Sequence, residues 1–164
     1  MSVSDAELVE QQVKKSLSMS VLMTPDKGNF SGNVHGGELL KLLDQVAYTC
    51  ASKFSSHYCV TLSVDQVLFK KPVKVGELVT FLASVNYTGT TSMEVGIRVL
   101  AEDVKVNRAR HTHTCYFTMV AVDNDAKPTS VPPLVLVTDE DKRRNEDAKH
   151  RREKKLLKQS QRPQ

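Results

Sequence analysis

The length, composition and charge of the chain limit the classes of protein to which it can belong. Its 164 residues, 40% hydrophobic and 26% charged, suit one domain with appended ends. No apolar run reaches the about 18 residues of a membrane span, and the polar start MSVSDAELVEQQ is not that of a secretory signal. The three cysteines, Cys50, Cys59 and Cys115, lie in apolar stretches without metal-ligand spacing, so we expect a cytoplasmic protein with reduced core thiols.

The excess positive charge lies near the C-terminal end. The formal net charge is +4, and residues 139–164 hold ten Lys or Arg against six Asp or Glu, whereas residues 1–138 are balanced. Any attraction for phosphate is therefore expected at that end of the chain.

In chain order, the first patterns predict a helix, a strand, a glycine-rich loop and a second helix. SDAELVEQQVKK carries Ser4 and Glu7 at capping-box spacing. SLSMSVLM alternates polar and apolar residues from Ser16 to Val21, as a half-buried strand does. The loop TPDKGNFSGNVHGG then leads into ELLKLLDQVAYTCASKF, whose long side chains and lack of Pro and Gly favour a helix of about four turns.

The remaining patterns predict four strands and a charged helix. The first of these strands is CVTLSVDQVLF, which is rich in β-branched residues and ends at Lys70-Lys71-Pro72. The next two are LVTFLASVNY and SMEVGIRVLAE, joined by a turn around Gly89. The last strand is ARHTHTCYFTMVAVD. A proline-rich segment leads to a helix that begins at Thr138, and the last dozen residues have the composition of a disordered tail. One apolar helix followed by a largely antiparallel sheet predicts an α+β fold, with the helix packed on one sheet face.

The central helix carries an aspartate at the seam between its two faces. At about 100° per residue, Asp44 falls between an apolar face and a polar face. The apolar face is Leu39, Leu42, Leu43, Val46 and Cys50, and the polar face is Glu38, Lys41, Gln45 and Ser52. Gly37 lies about two turns, or roughly 10 Å, nearer the N-terminus on the same side as Asp44.

The glycine-rich loop and this helix start have two interpretations. Gly36 and Gly37 allow close backbone approach, and the unpaired N–H groups of the first turn would stabilise an oxyanion. Asn29 and Asn33 add donors, while Asp44 supplies a base or nucleophile, which together suit acyl transfer to water. The alternative is that Asp44 is a boundary residue that points to solvent.

Three stretches resemble a known family: PDKGNFSGNVHGGELLKLLDQVAY, CVTLSVDQVLFKKPVKVGE and VNYTGTTSMEVGIRV. They resemble the hotdog-fold acyl-CoA thioesterases, bacterial and cytosolic hydrolases with the pattern N-x-x-x-N-x-H-G-G-x(6)-D. The pattern is complete here at Asn29, Asn33, His35, Gly36, Gly37 and Asp44. The resemblance covers roughly residues 15–137, the expected hotdog thioesterase domain, with a helical segment at 1–14 before it and a basic helix and tail at 138–164 after it.

The resemblance implies a single hotdog domain, in which a five-stranded antiparallel sheet wraps around the central helix. It implies a dimer with a continuous sheet, often three dimers in a hexamer, and an active site at the dimer interface. Asn29 and Asp44 of opposite subunits would form the catalytic pair, with Asp44 activating water or attacking the thioester carbonyl. Asn29 would position the water or the carbonyl, which the amide of Gly37 would polarise. The implied reaction releases free fatty acid and CoA and uses no metal or redox cofactor.

By the same resemblance, further residues are expected to contact CoA. The strand from Val64 to Phe69 would line the channel of the pantetheine arm, and the turn of Thr88, Gly89, Thr90 and Ser92 would approach the pyrophosphate. Phosphate contacts are also expected from Lys70, Lys71, Arg144, Lys149 and Arg152, since an arginine fork matches phosphate well. Each group also has a structural alternative. Lys70 and Lys71 would be only the charged end of a strand, the turn at residues 88–92 a plain hairpin, and the C-terminal basic residues part of a solvated helix.

Four other polar residues are left with open roles. His35 suits acid–base catalysis, because free imidazole titrates near neutrality, or it shapes the loop. His111 and His113 are two apart on a strand, so we predict that they face the same side, at solvent or at an interface, because no third metal ligand is evident. Asp65 is predicted to lie solvated on the polar side of its strand.

Two other functions fit part of the sequence. A hotdog hydratase or dehydratase would keep the fold, but such enzymes resemble one another in using a His and an acidic partner at a different spacing. A non-enzymatic scaffold that binds CoA or nucleic acid would use the basic helix. No aromatic platform interleaves with those charges, as single-strand binding requires, so we expect no nucleic-acid partner and no membrane insertion. Acyl chain length is not set by any pattern in the sequence.

Overall fold

The computed structural model describes residues 4–161, which fold into three α-helices and five strands. In chain order these are α1 (Asp5–Lys14), β1 (Ser16–Leu22), a short 3₁₀ turn (Pro25–Lys27), α2 (Gly36–Ser55), β2 (Tyr58–Val64), β3 (Leu78–Thr88), β4 (Ser92–Asp103), β5 (Arg108–Val122) and α3 (Asp139–Ser160). The predicted order of elements is confirmed. Residues 1–3 of the predicted N-terminal segment and 162–164 of the predicted tail lie outside the described residues.

The five strands form one antiparallel sheet in the order β1-β3-β4-β5-β2. β3, β4 and β5 follow one another through hairpins, whereas β1 and β2 occupy the two edges. The chain crosses from one edge to the other through α2, so β2 starts directly at the C-terminal end of that helix. The α+β fold with a helix on an antiparallel sheet is confirmed.

α2 packs its apolar face against one face of the sheet. The side chains predicted for that face are buried: Leu39, Leu42, Leu43, Val46 and Cys50. They meet the inward side chains of the central strands, among them Phe81, Val95 and Phe117. Each such side chain contributes about 1.5–3 kcal/mol on full burial, so this interface holds α2 firmly and fixes the direction of its polar seam.

α3 lies against the opposite face of the sheet. Thr138 caps the helix in a reciprocal capping box with Asp141. The Asn145 side chain donates to the Asn86 carbonyl at 2.9 Å, and Arg151 pairs with the buried Glu94 at 2.7 Å. The highly charged helix is therefore attached by specific polar contacts rather than left in solvent. None of the helices within residues 4–161 is long and apolar enough to cross a membrane.

Three local predictions are wrong at element ends. β2 ends at Val64 rather than continuing to Phe69, because its register with β5 shifts after Thr61 and the chain then leaves the sheet. Asp65 is not simply solvated, since it pairs with Lys155 of α3 at 2.5 Å. The last dozen residues are not all tail: α3 continues to Ser160, and the Asp65 pair anchors its final turns.

The predicted common side of His111 and His113 is also wrong. The register of β4 and β5 shifts by one residue at Thr112, so this β-bulge turns the two rings to different sides. His111 is exposed and lies 2.9 Å from the Thr114 hydroxyl, whereas His113 is only 5% exposed and packs edge-on against Phe69. Burial, together with the nearby His111, lowers the pKa of His113, so its ring is neutral in the core.

Candidate active site

A cleft of about 430 Å³ opens between α2 and the edge strand β2. Its lining residues are Asp44, Gln45, Tyr48, Tyr58, Cys59, Val60 and Thr61. Asp44 lies at the seam of α2, as the helical pattern predicts, and is exposed to the cleft. This is the place where the buried helix presents a carboxylate beside an unpaired sheet edge.

The Asp44 carboxylate is held from one side. The Thr61 hydroxyl on β2 donates a hydrogen bond to Asp44 Oδ1 at 2.6 Å, across the cleft. Within residues 4–161, Asp44 Oδ2 has no hydrogen-bond partner, so it is the oxygen available to a ligand. One oxygen fixes the orientation of the carboxylate while the other remains free to take a proton or to attack a carbonyl carbon.

The N-terminal turn of α2 supplies free backbone donors. His35 is the N-cap, and its backbone N–H donates to Lys27, while its exposed side chain makes no capping bond. The first-turn amides of Gly36 and Gly37 have no acceptor in the described chain, as expected at a helix start. A Cβ at Gly36 would lie 3.6 Å from the Phe69 ring, whereas a Cβ at Gly37 would meet nothing within 4 Å. The Gly37 amide therefore has open space beside it.

The loop before α2 fixes the orientation of Asn29. Its side-chain Oδ1 accepts three hydrogen bonds, from the backbone N–H groups of Ser31 and Asn33 at 3.0 and 3.1 Å and from the Ser31 hydroxyl at 2.8 Å. Because two of these donors are backbone amides, the oxygen must face the loop and the NH₂ group must face away. That NH₂ group donates to no atom of the described residues, so Asn29 presents a free donor.

Asn33 has a different role from Asn29. Its side-chain NH₂ donates to the Ser31 hydroxyl at 3.4 Å, and its backbone forms a bridge with Lys74. Its carbonyl also accepts from the Asn29 N–H at 2.7 Å. The side chain that local reasoning treated as an equal donor is therefore engaged in shaping the loop.

Asn29 does not line the cleft that holds Asp44. No hydrogen bond joins the two side chains anywhere in residues 4–161. The loop tip carries the fully exposed Phe30 beside Asn29. β2 presents its free edge with four exposed apolar side chains, Tyr58, Val60, Leu62 and Val64. Loop and cleft are thus both open surfaces of the isolated chain.

The first group of predicted CoA contacts lies after β2. Val64 ends β2 and is exposed, and Phe69 packs between Gly36 and His113. Lys70 is exposed, while the Lys71 ammonium donates to the His111 carbonyl at 3.3 Å. Phe69 and Lys70 therefore lie close to the N-terminal end of α2.

The β3–β4 turn is hydrogen-bonded to the segment that follows β5. The Thr88 hydroxyl accepts from the Leu134 N–H at 3.1 Å, and the Thr90 carbonyl accepts from the Val131 N–H at 3.0 Å. The Gly89 N–H donates to the Ser92 carbonyl at 2.8 Å, which closes the hairpin. Two of the groups expected at a pyrophosphate are thus engaged within the chain.

The predicted basic contacts on α3 are separated from one another. Arg144 binds Glu140 at 2.9 Å, and Lys149 pairs with Glu146 at 3.7 Å. Arg152 lies over the Tyr87 ring and lines a small cavity of about 130 Å³ together with Ser92. Such exposed pairs within a helix contribute little free energy, but they reduce the positive charge available to a phosphate.

A larger cavity lies away from Asp44. It measures about 620 Å³ and separates α3 from the sheet face turned away from α2. Most of its arginines already pair with carboxylates, namely Arg143, Arg144 and Arg151. We place the candidate site in the smaller cleft because that cleft holds an oriented carboxylate with a free oxygen.

Sequence reasoning missed three residues of the cleft. Thr61 holds Asp44, and the rings of Tyr48 and Tyr58 line the far end of the cleft. The signal available for Tyr48 was its position one turn after Asp44 on the same helix. Thr61 and Tyr58 belong to another element, so only the pairing of β2 beside α2 reveals them.

The single antiparallel sheet packed around α2 defines a hotdog-type fold. The thioesterase superfamily model matches residues 31–107. The chain is 53% identical over 140 residues to the protein VdlD of Helicobacter pylori, which covers 85% of this chain and 80% of that protein. The chain therefore belongs to the thioesterase superfamily, and the predicted resemblance is confirmed.

Solved structures place it beside acyl-CoA thioester hydrolases. A hexameric acyl-CoA thioesterase superposes with a TM-score of 0.87 at 33% identity, covering 92% of this chain and 96% of that chain. The acyl-CoA hydrolase of Staphylococcus aureus, solved with butyryl-CoA, CoA and CoA disulfide, superposes with a TM-score of 0.82 at 30% identity, covering 92% and 90%. That hydrolase was also solved with an aspartate, an asparagine or a threonine replaced by alanine.

Proposed function

We propose that the protein hydrolyses acyl-CoA thioesters to free fatty acid and CoA, in an active site that a second copy of the chain completes. The observation that carries the proposal is the Asp44 carboxylate, held at Oδ1 by Thr61 and free at Oδ2. It lies about two turns, or roughly 10 Å, along α2 from the free amide of Gly37. A thioester carbonyl bound between them would have a donor at its oxygen and a carboxylate near its carbon.

The proposed reaction uses these atoms in a simple sequence. The Gly37 N–H and the positive end of α2 stabilise the negative charge that develops on the carbonyl oxygen. Asp44 Oδ2 takes a proton from water as the water oxygen attacks the carbonyl carbon. The tetrahedral intermediate then expels the thiolate, which receives the proton from Asp44, and the products are a fatty acid and CoA. This sequence requires no metal or redox cofactor.

Asp44 can also react as the nucleophile. Its Oδ2 would attack the carbonyl carbon, the thiolate would leave, and water would hydrolyse the resulting mixed anhydride to the same products. Turnover in ¹⁸O-labelled water and mass spectrometry of the acid-quenched protein separate the two routes. Direct attack gives an acylated Asp44, or label in its carboxylate where water opens the anhydride on the Asp44 side, whereas activated water labels the fatty acid and leaves Asp44 neither acylated nor labelled.

The second copy is proposed because the free NH₂ group of Asn29 lies on the exposed loop, whereas the carboxylate of Asp44 lies in the cleft. Pairing of β2 with the β2 edge of another chain would cover the exposed apolar side chains of that strand. In such a dimer, Asn29 of one protomer would present its free NH₂ group to the cleft that holds Asp44 of the other. The similar hexameric thioesterase supports further assembly of dimers into a hexamer.

Residue spacing supports the choice of Asn29, Asp44 and Thr61. The asparagine, aspartate and threonine replaced in the Staphylococcus aureus hydrolase are 15 and 17 residues apart in sequence order. Asn29, Asp44 and Thr61 are separated by the same 15 and 17 residues. The same three residue types at the same intervals therefore occur in both chains.

The proposed CoA path runs from the start of α2 toward positive charge. Phe69 lies against Gly36 at the start of α2 and Lys70 follows it, so the pantetheine arm would leave the active site in that direction. The β3–β4 turn and Arg152 are proposed contacts for the nucleotide part, with Arg144 and Lys149 as outer charges. We place this reaction in the cytoplasm, where the free, buried thiols of Cys50, Cys59 and Cys115 would stay reduced.

The test is a CoA-release assay with the purified protein. Wild type should release CoA from acyl-CoA, and Asp44→Asn should lose at least about 10²-fold in kcat while keeping the same oligomer. Asp125→Asn, an exposed aspartate that does not line the cleft, is the matched control and should retain activity. Wild-type turnover by Asp44→Asn would refute the assignment. Hydration of an enoyl-CoA without CoA release would instead support the hydratase alternative.

A further inference from the structure

Two tyrosines line the end of the cleft that lies farthest from the start of α2. The rings of Tyr48 and Tyr58 are 5.6 Å apart and inclined at 61°, an edge-to-face pair. Tyr48 follows Asp44 by one helical turn, and Tyr58 precedes Thr61 by three residues on β2. One ring therefore comes from each wall of the cleft, and the two meet across it.

We propose that the Tyr48–Tyr58 pair is the end stop of the acyl pocket and restricts hydrolysis to short acyl groups. The inference rests on the proposed acyl-CoA hydrolysis, since it assigns the acyl part of the substrate to one end of the same cleft. It adds two specificity-determining residues that take no part in the chemical steps.

Charge decides which end of the cleft receives the acyl group. CoA carries several phosphate charges, which favour the end where the positive pole of α2 and Lys70 lie. At the other end the walls are Tyr48, Tyr58 and Val60, which are aromatic or aliphatic. An acyl chain that continues from a carbonyl beside Asp44 must therefore run toward the tyrosines.

Lys53, the lysine that follows Tyr48 on α2, does not offset this asymmetry. Lys53 lies five residues beyond Tyr48 on α2, but its ammonium donates to the carbonyls of Val13 and Ser16 at 2.9 and 3.0 Å. Those bonds hold the charge at the junction of α1 and β1. The tyrosine end of the cleft therefore suits an uncharged chain.

The spacing of the rings from Asp44 limits the length of that chain. Four residues along a helix correspond to about 6 Å, which separates Tyr48 from Asp44. Three residues along a strand correspond to about 10 Å, which separates Tyr58 from Thr61. With C–C bonds of about 1.5 Å, an extended chain advances roughly 1.3 Å per carbon, so about six carbons reach the rings.

The rings can serve as a stop because each restrains the other. Tyr48 and Tyr58 retain 39% and 62% exposure, so neither ring is locked inside the core. Their mutual contact and their anchoring on two separate elements keep them across the cleft. Removal of either ring would open the end of the pocket without touching Asp44 or Thr61.

The experiment measures kcat/KM for a series of linear acyl-CoAs from acetyl to palmitoyl. In wild type, we expect kcat/KM to fall at least tenfold once the acyl group exceeds about six carbons. Tyr48→Ala and Tyr58→Ala should each move this limit by two or more carbons toward longer chains. Tyr48→Phe and Tyr58→Phe keep the ring and should keep the wild-type limit. Size-exclusion chromatography of each variant verifies the oligomer, since Tyr58 lies on the edge strand.

The outcomes separate this inference from the proposed function. A wild type that hydrolyses palmitoyl-CoA as efficiently as butyryl-CoA overturns the end stop and leaves the thioesterase proposal intact. The end stop is likewise overturned if Tyr48→Ala forms the wild-type oligomer and keeps the wild-type acyl-length limit. It is also overturned if the phenylalanine variants shift that limit. A wild type that releases CoA from no acyl-CoA of any length overturns the proposed function itself.

Discussion

The Thr61 hydroxyl donates to the Asp44 carboxylate at 2.6 Å, linking the edge strand β2 to the seam of α2. The bond constrains rotation of the carboxylate about its last torsion angle and directs its free oxygen into the cleft. A carboxylate left to rotate would spend part of its time in unproductive orientations. Thr61 is thus expected to act on the reaction by positioning Asp44.

Replacement of Thr61 by valine should slow hydrolysis while the fold is kept. Valine retains the branched shape and removes only the hydroxyl. Loss of a hydrogen bond to a charged group, about 1.5–3 kcal/mol, corresponds to about a 10- to 150-fold decrease in kcat/KM. Steady-state CoA release checks this value. Thr61→Ser keeps the donor and is the control; equal rates for the valine and serine variants would show that the hydroxyl is not needed.

Asn29 offers a substitution that separates loop folding from catalysis. Asn29→Asp retains the oxygen that accepts three hydrogen bonds from the loop and removes the free NH₂ donor. We expect a decrease of about 10²–10³-fold in kcat, the cost of one lost oxyanion donor, with an unchanged melting temperature. Asn29→Ala should lower both quantities, because it also removes the loop contacts. Thermal melts and CoA release measured on the same samples distinguish the two variants.

Mixing of two inactive variants tests whether Asn29 and Asp44 act across an interface. In a dimer made of one Asn29→Asp chain and one Asp44→Asn chain, one of the two sites keeps both native residues. Random mixing gives half heterodimers by twofold symmetry, so activity should recover to about a quarter of the wild-type value. Co-expression of the two variants without selection for heterodimers, followed by a CoA-release assay, measures the recovery; selection of heterodimers through two affinity tags should raise it to about half. Mixtures no more active than their components would place both residues in one protomer.

Lys15, the C-cap of α1, and Asp141 of α3 form a buried ion pair, with a separation of 2.6 Å and side chains 7% and 11% exposed. Burial alone would raise the pKa of Asp141, but the Lys15 ammonium and the N–H groups of Thr138 and Val137 lower it well below its ordinary value. Because the pKa of Asp141 is lower in the folded protein than its unfolded value of 3.8, the pair stabilises the fold at pH values above 3.8. This stabilisation is lost as the pH falls below 3.8 toward the folded pKa. The melting temperature should therefore fall below about pH 4 and be insensitive to this pair near neutrality.

Asp141→Asn tests this pair directly. It leaves the Lys15 charge buried without its partner, which costs about 3–5 kcal/mol at neutral pH, and it removes the part of the acid sensitivity that Asp141 supplies. Circular-dichroism melts at pH 7 and pH 3.5 measure both effects. Addition of Lys15→Met removes the unpaired charge and should restore much of the loss at pH 7. A single variant as stable as wild type at pH 7 would contradict the role of the pair.

Much of the fold follows from local patterns, whereas the contacts of the site do not. The 3.6-residue period correctly placed Asp44 at the seam of α2, because the hydrophobic face of a helix is written in its own sequence. Thr61 meets Asp44 only because β2 pairs with β5 at the sheet edge, a relation between distant segments. The strand alternation rule failed for His111 and His113 because of the bulge at Thr112. One extra residue in a strand turns each later side chain to the opposite face of the sheet. The alternation of Val60 and Val64 does not reveal that both side chains are exposed. Their exposure depends on whether another element packs on that face of β2, and none within residues 4–161 covers it.

The two glycines at the start of α2 provide a final test of how the carbonyl is bound. A methyl group at Gly36 would make an ordinary contact with Phe69, whereas one at Gly37 would project into open space beside a free amide. Both positions have helical backbone, so alanine should fold at either one and can add up to about 0.5–1 kcal/mol of stability. If the thioester oxygen binds at the Gly37 amide, Gly37→Ala should lower kcat/KM at least tenfold with no loss in melting temperature, while Gly36→Ala should retain most activity. Equal activity of the two variants would remove Gly37 from the proposed oxyanion site and leave the Asp44 cleft without a backbone donor at that position.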